Sequence, residues 1–442
     1  MDAADLERRA RTYDGWIPPW TVSVMVEHGY LDEVAVQAGN GDWYCAKAWS
    51  QALIEQGQRD AALDVLAPFA EAGWWGAAGV VAEILDGWGR TDEAIALARP
   101  YVADGEPLAL AYLARLLARH GRGEEAFELL RTHTKDWFLA EALVDVSAGL
   151  GRDEEVADLL KSHVEALQGA DVWRAEPWNA VELLATVRER QGRVDEAVTL
   201  LHTRWATLVN GQDQLADLLA RHDRLPELRE YIAGQGGEDA ARHLAQLLEE
   251  RGDVEGAIEV LRPFAVAGSP NAAFWLAELL TRYDRVDEAV EVLRPVPGQI
   301  GDPEWVVRAL WTLLVDHGRE DEALAFIDEL AAQSGGMWFE LFCERVWLLS
   351  HCGRTEQAIT ELRARPEAGT WYGVSRLADL LADAGRLDEA IEVLRPTCET
   401  GRNETDLAQL LIRQGRIKEA VALLHRRTTS LPPDADPWAS AS

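Results

Sequence analysis

Cys343, His351 and Cys352 form the nearest approach to a metal site in this sequence. A structural zinc site needs four ligands, and the spacing offers no fourth. The glycine-rich stretch 234–237 would need a preceding strand to act as a phosphate loop, and no strand is predicted there. The sequence contains no Walker lysine, HExxH or GxSxG motif. We therefore predict a protein that is not an enzyme and that has no catalytic residue, metal site or cofactor.

The elements that carry these residues are defined by one string that recurs along the chain. Its clearest copy begins Gly385-Arg386-Leu387-Asp388-Glu389-Ala390. Thirteen copies begin at Gly29, Gly57, Gly89, Gly121, Gly151, Gly192, Asp223, Gly252, Asp284, Gly318, Gly353, Gly385 and Gly415. All but one of the steps between them are 28–35 residues long. A period of this size over most of a chain predicts a solenoid of stacked repeats.

Each copy of the string predicts two helices joined by a tight turn. Apolar residues before the turn follow the i, i+3, i+4 spacing of a helix. Gly at the turn can adopt the left-handed backbone that ends a helix, and Asp223 and Asp284 tolerate it. Carboxylates follow in the first turn of the second helix, where they face the positive end of its dipole. Ala lies five residues after the turn residue in ten copies, which predicts close contact between helices.

Histidine directly precedes the turn residue in four copies, at His28, His120, His222 and His317. These positions are the predicted carboxyl ends of the first helices. An imidazolium there interacts favourably with the free carbonyls of the helix end. We therefore interpret these histidines as structural and not as metal ligands.

The repeating unit resembles the tetratricopeptide repeat. Leu377, Ala378, Gly385 and Ala390 match the pattern of that family in register. The resemblance implies an all-α fold, a right-handed α-solenoid of about thirteen such helical hairpins over roughly residues 16–427. The near absence of Lys beside many Arg is typical of high-GC bacteria such as actinobacteria.

Residues at both ends and at two places inside the array are predicted to depart from this regular pattern. We expect residues 1–15 to form a lead-in cap and residues 428–442 to form a disordered tail. Irregular segments are expected at 168–178, an insertion, and at 223–240, a possible flexible joint.

Prolines and tryptophans recur at fixed places in the repeats. Proline lies eleven residues after the turn residue at Pro68, Pro100, Pro263, Pro295 and Pro396. Because apolar spacing continues beyond it, we predict a kinked second helix. Tryptophan lies fourteen residues before the turn at Trp43, Trp75, Trp137, Trp178 and Trp371. We interpret these rings as wedges between successive repeats, and a ligand-binding aromatic ladder is the alternative.

The resemblance also implies that the first helices line a concave groove. Their solvent-facing positions then lie ten and six residues before each turn. In three neighbouring repeats these positions hold five carboxylates: Glu141, Asp145, Glu182, Asp213 and Asp217. We predict these residues as a partner-binding site, because a row of acids in an open groove suits a basic, extended segment. A solvated face without a partner remains the alternative.

Composition limits the classes of partner. Asp and Glu number 76 against 43 Lys and Arg, which gives a net charge of −33. Such a field repels nucleic acid and anionic lipid, so we expect neither direct nucleic-acid binding nor membrane insertion. Four scattered cysteines and the lack of a signal pattern predict a cytoplasmic protein.

The function that the resemblance implies is a scaffold that binds a basic protein or an extended peptide in its concave groove. Two alternatives stay open. One is a regulator that senses a peptide and acts through a partner, and the other is an accessory subunit of an enzyme. The sequence leaves the partner's identity and the oligomeric state open.

Overall fold

The structure of this chain is a computed structural model that describes residues 2–167, 178–202, 208–209, 212–295, 304–333 and 336–427. Most of the predicted insertion at 168–178 and the predicted tail at 428–442 lie outside these residues. Within the described ranges the chain is helical, apart from a short antiparallel pairing of Leu208–Val209 with Gln212–Asp213. None of these helices has the length and apolar character that a membrane span requires.

The described residues form α1 (Ala3–Thr12) followed by thirteen helical hairpins. The first helices of the hairpins are α2 (Pro19–Glu27), α4 (Trp43–Glu55), α6 (Trp75–Gly87), α8 (Pro107–Arg119), α10 (Trp137–Ser147), α12 (Trp178–Arg190), α14 (Gln214–Arg221), α16 (Gly237–Glu250), α18 (Pro270–Arg282), α20 (Glu304–Asp316), α22 (Phe339–His351), α24 (Trp371–Asp383) and α26 (Glu404–Arg413). Their second helices are α3 (Leu31–Gly39), α5 (Arg59–Glu71), α7 (Thr91–Ala103), α9 (Gly123–Leu130), α11 (Asp153–Leu167), α13 (Val194–His202), α15 (Leu225–Tyr231), α17 (Val254–Val266), α19 (Val286–Leu293), α21 (Glu320–Gln333), α23 (Thr355–Arg363), α25 (Leu387–Cys398) and α27 (Ile417–Arg427). The predicted all-α solenoid of about thirteen hairpins is confirmed.

The turn residue of every hairpin has the predicted left-handed backbone. Its φ lies between 58° and 86° in all thirteen copies, including Asp223 and Asp284. Except in the hairpin of Gly151, where α10 already ends at Ser147, the next residue then donates its backbone N–H back into the first helix, as Arg386 does to the Leu381 carbonyl over 2.7 Å. This bond satisfies a carbonyl that the helix end would otherwise leave free. In these hairpins the turn residue therefore ends the first helix and sets the direction in which the second helix begins.

The Ala five residues after the turn is fully buried wherever it occurs. The ten copies with 0% exposure are Ala62, Ala94, Ala126, Ala197, Ala257, Ala289, Ala323, Ala358, Ala390 and Ala420. A side chain this small lets the second helix approach its neighbours closely, and the Leu and Ile around it fill the layers between helices. Within each hairpin the core therefore consists of such layers.

The second helix continues beyond its proline at four of five places, and the kink there stays a prediction. Pro68, Pro100, Pro263 and Pro396 lie inside α5, α7, α17 and α25, which continue past them. At Pro295 the prediction is wrong, because α19 ends at Leu293. Pro has no backbone N–H and so removes one helical hydrogen bond. Near the end of a helix, the helix can either continue past this loss or stop before it.

The interpretation of the recurring tryptophans as wedges holds only in part. Trp43 is buried between Phe69 and Trp74, with ring centroids 5.2 and 5.0 Å away. Trp137 and Trp371 remain 49% and 48% exposed. The same register position is therefore covered in some hairpins and left open to solvent in others.

The chain divides into two compact units. Unit 1 comprises Met1–His163 with Ala368–Ser442, and unit 2 comprises Val164–Glu367. In unit 1 the first and last hairpins pack together, through α2 and α26. A Cβ atom added to Gly415 would lie only 3.5 Å from the Tyr30 hydroxyl. Accordingly, α26 buries Leu410 and Ile412 as well as Leu407.

The segment expected to be a flexible joint lies within unit 2. The chain there forms a π-helical turn, Ile232–Gly236, between α15 and α16.

A buried ion pair joins two first helices of unit 2, α20 and α22. The Glu344 carboxylate, 2% exposed, accepts bonds from the Arg308 guanidinium and from Nε1 of Trp311 at 2.9 Å. A buried charge of this kind needs such partners to be tolerated.

The stacked architecture predicts that damage to one hairpin stays local. Ala289→Glu would place an unpaired charge in a fully buried position of α19 and should destabilise the fold by about 3 kcal/mol or more. Because each hairpin packs mainly on its neighbours, hydrogen-exchange protection should fall in α16–α21 first. Ala332→Glu, at an exposed position of α21, is the control that should leave protection unchanged. An even loss of protection along the whole chain would contradict the prediction.

Candidate functional site

A row of arginine–carboxylate pairs accounts for most acids at the turns. Arg285, which directly follows a turn residue, donates Nε and Nη2 to Glu288 over 2.6 and 2.8 Å. Its third nitrogen, Nη1, reaches Glu255 of the preceding hairpin at 2.7 Å. Hydrogen bonds from Arg285 hold the pKa of Glu288 below its usual value. The same pairing within the turn recurs at Arg90–Glu93, Arg122–Glu125, Arg152–Glu155, Arg193–Glu196, Arg224–Glu227, Arg319–Glu322 and Arg386–Glu389.

A second row of ion pairs joins the carboxyl ends of successive first helices. Arg221 and His222 both bind Glu189 of the preceding hairpin, at 2.9 Å each. Arg119 and His120 bind Asp86 in the same way, at 3.1 and 2.7 Å. Two of the four predicted helix-end histidines therefore bind a neighbouring carboxylate. The other two lie against carbonyls of their own helix, His28 against Val24 and His317 against Leu313.

The positions ten and six residues before the turn line a groove in unit 1. They are Pro19 and Ser23, Lys47 and Gln51, Gly79 and Glu83, and Ala111 and Arg115 in four consecutive hairpins. We call this surface, which runs over α2, α4, α6 and α8 to Phe138 of α10, the inner groove. It consists of two adjoining hollows of about 690 and 720 Å³ that share Val80 and Glu83. Four hairpins thus place both register positions in one groove.

The inner groove carries an excess of negative charge. Among its charged residues, Asp86 is paired with Arg119 and His120. Arg115 is paired with Asp145, over 3.0 Å. Among the described residues, no ion pair is formed by Glu27, Glu55, Glu83 or Lys47, all of which are exposed. Three carboxylates and one ammonium group in the groove are therefore without an ion pair, and one of the carboxylates, Glu55, accepts a hydrogen bond from Nε2 of Gln51 at 3.1 Å.

Two of the five acids predicted from sequence extend this face. Glu141 and Asp145 lie exposed on α10, in unit 1. The carboxylate of Asp145 bonds the guanidinium of Arg115, which itself lines the groove. Asp145 is therefore already engaged by a neighbouring first helix, whereas the exposed Glu141 forms no ion pair with a described residue.

The other three predicted acids lie in unit 2 and differ from one another. Glu182 of α12 and Asp217 of α14 are both half-buried, and Asp217 lies 2.8 Å from Nδ1 of His243. The prediction that Asp213 faces solvent is wrong. Asp213 is 1% exposed and accepts backbone N–H bonds from Leu215 and Ala216 as the cap of α14. A capping carboxylate that is already bonded in this way is not available to a partner.

Aromatic rings form the wall of the groove between α6 and α8. The Trp75 ring packs against Tyr112, with centroids 5.6 Å apart. Gly79 makes room for it, since a Cβ there would come within 3.3 Å of the indole. Burial raises the pKa of Tyr112 to about 12, helped by the carboxylates of Asp86 and Glu83. Tyr112 therefore acts as a neutral wall residue at physiological pH.

Metal binding has no support from the described side chains. Among them, no group of three or more His, Cys, Asp and Glu is arranged to hold a metal ion. Burial raises the pKa of the Cys352 thiol, and it raises that of Cys398 to about 12. Such thiols stay protonated at neutral pH and are poor ligands and nucleophiles.

Comparison with known proteins gives the same repeat type. Residues 242–299 match one family model and residues 372–396 and 405–426 match another, and both models describe the tetratricopeptide repeat. No curated protein matches the sequence significantly.

Several solved structures resemble the chain at low identity. Naa15/Naa10 bound to HypK-THB is 12% identical, with 91% of this chain and 73% of that one covered and a TM-score of 0.38. The pentatricopeptide repeat protein PPR10 from maize is 18% identical, with coverages of 88% and 60% and a TM-score of 0.34. A tetratricopeptide repeat protein from Parabacteroides merdae is 14% identical, with coverages of 66% and 99% and a TM-score of 0.27. Likeness at this level carries no inference about function.

Thirteen stacked hairpins with one repeated register define this protein as an α-solenoid, a class built to offer extended surfaces to other molecules. The matched segments and the turn pattern show a repeating unit similar to the tetratricopeptide repeat. Repeats of this family indicate a scaffold for protein–protein interaction.

The ion pairs between first helices predict that the protein loses stability when the pH falls low enough to protonate their carboxylates. Burial alone would raise the pKa of Glu189, but hydrogen bonds from Arg221 and His222 outweigh it and hold the pKa below the usual 4.5. A carboxyl with a lowered folded-state pKa stabilises the fold above its unfolded-state pKa. That stabilisation disappears as the pH falls from about 4.5 through the folded-state value.

Urea midpoints of wild type and Glu189→Gln should therefore differ by a constant amount at pH 6–7 and converge below about pH 4.5. Glu259→Gln is the matched control, because Glu259 is exposed and forms no ion pair with a described residue. Its midpoint should follow that of wild type at every pH. A difference between wild type and Glu189→Gln that persists unchanged at pH 3 would contradict the prediction.

Proposed function

We propose that this protein is a scaffold that binds a basic, extended segment of a partner protein in the inner groove of unit 1. One observation carries the proposal: Glu27, Glu55 and Glu83 line a groove of successive first helices without an ion pair among the described residues. We also propose a cytoplasmic location, because all four cysteines are free thiols. The proposal assigns binding to the groove and no catalysis.

Charge complementarity supports a basic partner over a neutral or acidic one. The acids of the turn rows are already bonded to Arg, so the net charge of −33 overstates what a partner would meet there. The groove glutamates are different, because two of the three cations that line the groove are engaged elsewhere, Arg115 by Asp145 and Arg119 by Asp86, and Lys47 alone is left to offset them. A Lys or Arg entering the groove would therefore gain a carboxylate without breaking an existing pair.

The shape of the groove supports an extended segment. Its floor consists of parallel first helices, and small residues such as Gly79, Ala48 and Ala111 keep it open. Each first helix offers its positions ten and six residues before the turn, so the contacts repeat from hairpin to hairpin. A chain lying across several hairpins can use each set in turn, which suits an extended segment better than a single compact ligand.

The acids predicted from sequence enter the proposal with different roles. We propose Glu141 and Asp145 as the continuation of the binding face on α10, with Asp145 holding Arg115 in place. Glu182 and Asp217 occupy the corresponding register positions in unit 2, and we propose them as partner contacts of that unit. Asp213 has no part in the proposal, because its carboxylate caps α14.

The proposal predicts that three groove charges decide binding of a basic peptide. The triple variant Glu27→Gln, Glu55→Gln and Glu83→Gln should bind a labelled alternating Lys/Ser nonapeptide about tenfold more weakly in fluorescence anisotropy. Binding to wild type should weaken as salt rises, because exposed charges are screened within about 8 Å at physiological ionic strength. Helicity should not change, since all three side chains are exposed.

A second triple variant separates the groove from net charge. Asp64→Asn, Glu259→Gln and Glu392→Gln removes the same three charges from exposed positions of second helices. It should bind the peptide as wild type does. Equal weakening in both triple variants would mean that the peptide responds only to the total charge, and the proposed groove would be wrong.

A further inference from the structure

We infer that the partner segment alternates large apolar residues with Lys or Arg, because the inner groove is divided lengthwise into an apolar lane and an acidic lane. This inference rests on the proposed function and adds the chemistry of the segment. The apolar lane consists of Tyr44, Trp75, Leu108 and Phe138. The acidic lane contains Glu27, Glu55 and Glu83, and Val26 lies exposed beside Glu27.

The two lanes follow from where each side chain lies along its helix. Tyr44, Leu108 and Phe138 are the second residues of α4, α8 and α10, and Trp75 is the first residue of α6. The acids lie toward the other end: Glu27 and Glu55 are the last residues of α2 and α4. Successive first helices run in the same direction, because an antiparallel second helix separates them. Their apolar starts therefore line up along one side of the groove and their acidic ends along the other.

The spacing of the lanes can be read from the helix rise. Trp75 and Glu83 are eight residues apart on α6, which is about 12 Å along the axis at 1.5 Å per residue. Leu108 and Arg115 are seven residues apart on α8, or about 10 Å. Apolar and charged groups of one helix are thus separated across the groove, with small residues such as Gly79 and Ala111 between them.

The apolar lane has surface to offer a partner. Leu108 is 53% exposed, although it lies beside the aromatic wall of Trp75 and Tyr112. Tyr44, Trp75 and Phe138 are half-buried, so Leu108 is the most open part of this lane. Exposed apolar surface in a groove is typical of an interaction surface. On α8 and α10 the charged side of the groove is neutralised by the Arg115–Asp145 pair. The basic residues of a partner are therefore directed to α2, α4 and α6.

An extended chain matches two parallel lanes because its neighbouring side chains point to opposite sides. When such a chain runs along the groove, every second residue faces the apolar lane. The residues between them face the glutamates. A segment of alternating apolar and basic residues satisfies both lanes at once, whereas a purely basic segment leaves the apolar lane exposed to water.

Four labelled nonapeptides test the inference by fluorescence anisotropy with the full chain. The first alternates Lys and Leu, and the second has the same composition in a helical period of apolar residues. The third alternates Lys and Ser, and the fourth alternates Glu and Leu. The alternating Lys/Leu peptide should bind tightest, about fivefold or more above the Lys/Ser peptide. The Glu/Leu peptide should bind weakest, because its carboxylates meet the groove glutamates.

Two variants locate the effect on the apolar lane. Leu108→Ser should weaken the Lys/Leu peptide about fivefold and leave the Lys/Ser peptide unchanged, because only the former uses the apolar contact. Val266→Ser is the matched control, since Val266 is exposed on α17 in unit 2. It should change neither peptide. Both positions are open to solvent, so folding should survive each substitution, which circular dichroism checks.

The outcomes separate this inference from the proposed function. Equal binding of the Lys/Leu and Lys/Ser peptides, with no effect of Leu108→Ser, would overturn the apolar lane and leave a purely electrostatic groove. Tighter binding of the helical-period peptide than of the alternating one would overturn the extended arrangement. Failure of all three Lys-containing peptides to bind would overturn the inference together with the proposed function.

Discussion

The left-handed backbone at the turn residues is the constraint on which the rest of the structure depends. A positive φ at this one residue ends the first helix, returns an N–H to its last carbonyls and starts the second helix two residues later. Because all hairpins but that of α10 and α11 turn in the same way, equivalent positions meet equivalent neighbours in most of the array. The Ala five residues after the turn is then always buried. In the first four hairpins, the residues ten and six before the turn lie in the inner groove. Asp284 shows that a side chain can be accommodated at this φ when it is Asp.

The same register sorts the charges into those that hold the fold and those that are open to a partner. An Arg after the turn has a planar guanidinium that can bind the Glu of its own helix and an acid of the preceding hairpin together, as Arg285 does. Lys, with a single ammonium group, could not hold both in that fixed geometry, which gives a physical reason for Arg at these places. Exposed pairs of this kind each contribute little, roughly 0.2–1 kcal/mol, but they repeat along the array. The groove glutamates are left out of these rows, so a basic partner would be attracted by these three residues and not by the net charge.

A structural feature could be predicted from the sequence when residues of a single hairpin determine it, and could not when it depends on contacts with other hairpins. The turns and the buried Ala positions were predictable, because each is decided by residues within one hairpin. Asp213 was not, because α14 begins only at Gln214, so the position ten residues before the turn falls on the helix cap. The exposure of Trp137 depends on which neighbouring side chains reach it, and the repeat pattern does not contain that information. The contact of α2 with α26 was equally hidden, since the two helices are far apart in the sequence and the repeat pattern does not relate them.

That contact between the first and last hairpins changes what the ends of the array must do. Terminal repeats of a solenoid usually need a polar outer face, because no neighbour covers them. Here α26 can keep Leu410 and Ile412 buried, and Tyr30 can lie against Gly415, because each end supplies the other with a neighbour. As a result, α2 is packed against α26 as well as against α4, and the acidic start of the inner groove is supported on both sides. A groove held in place before binding requires less ordering when a segment enters. The last hairpin of the chain therefore contributes to the groove formed by the first four, although it supplies none of its side chains.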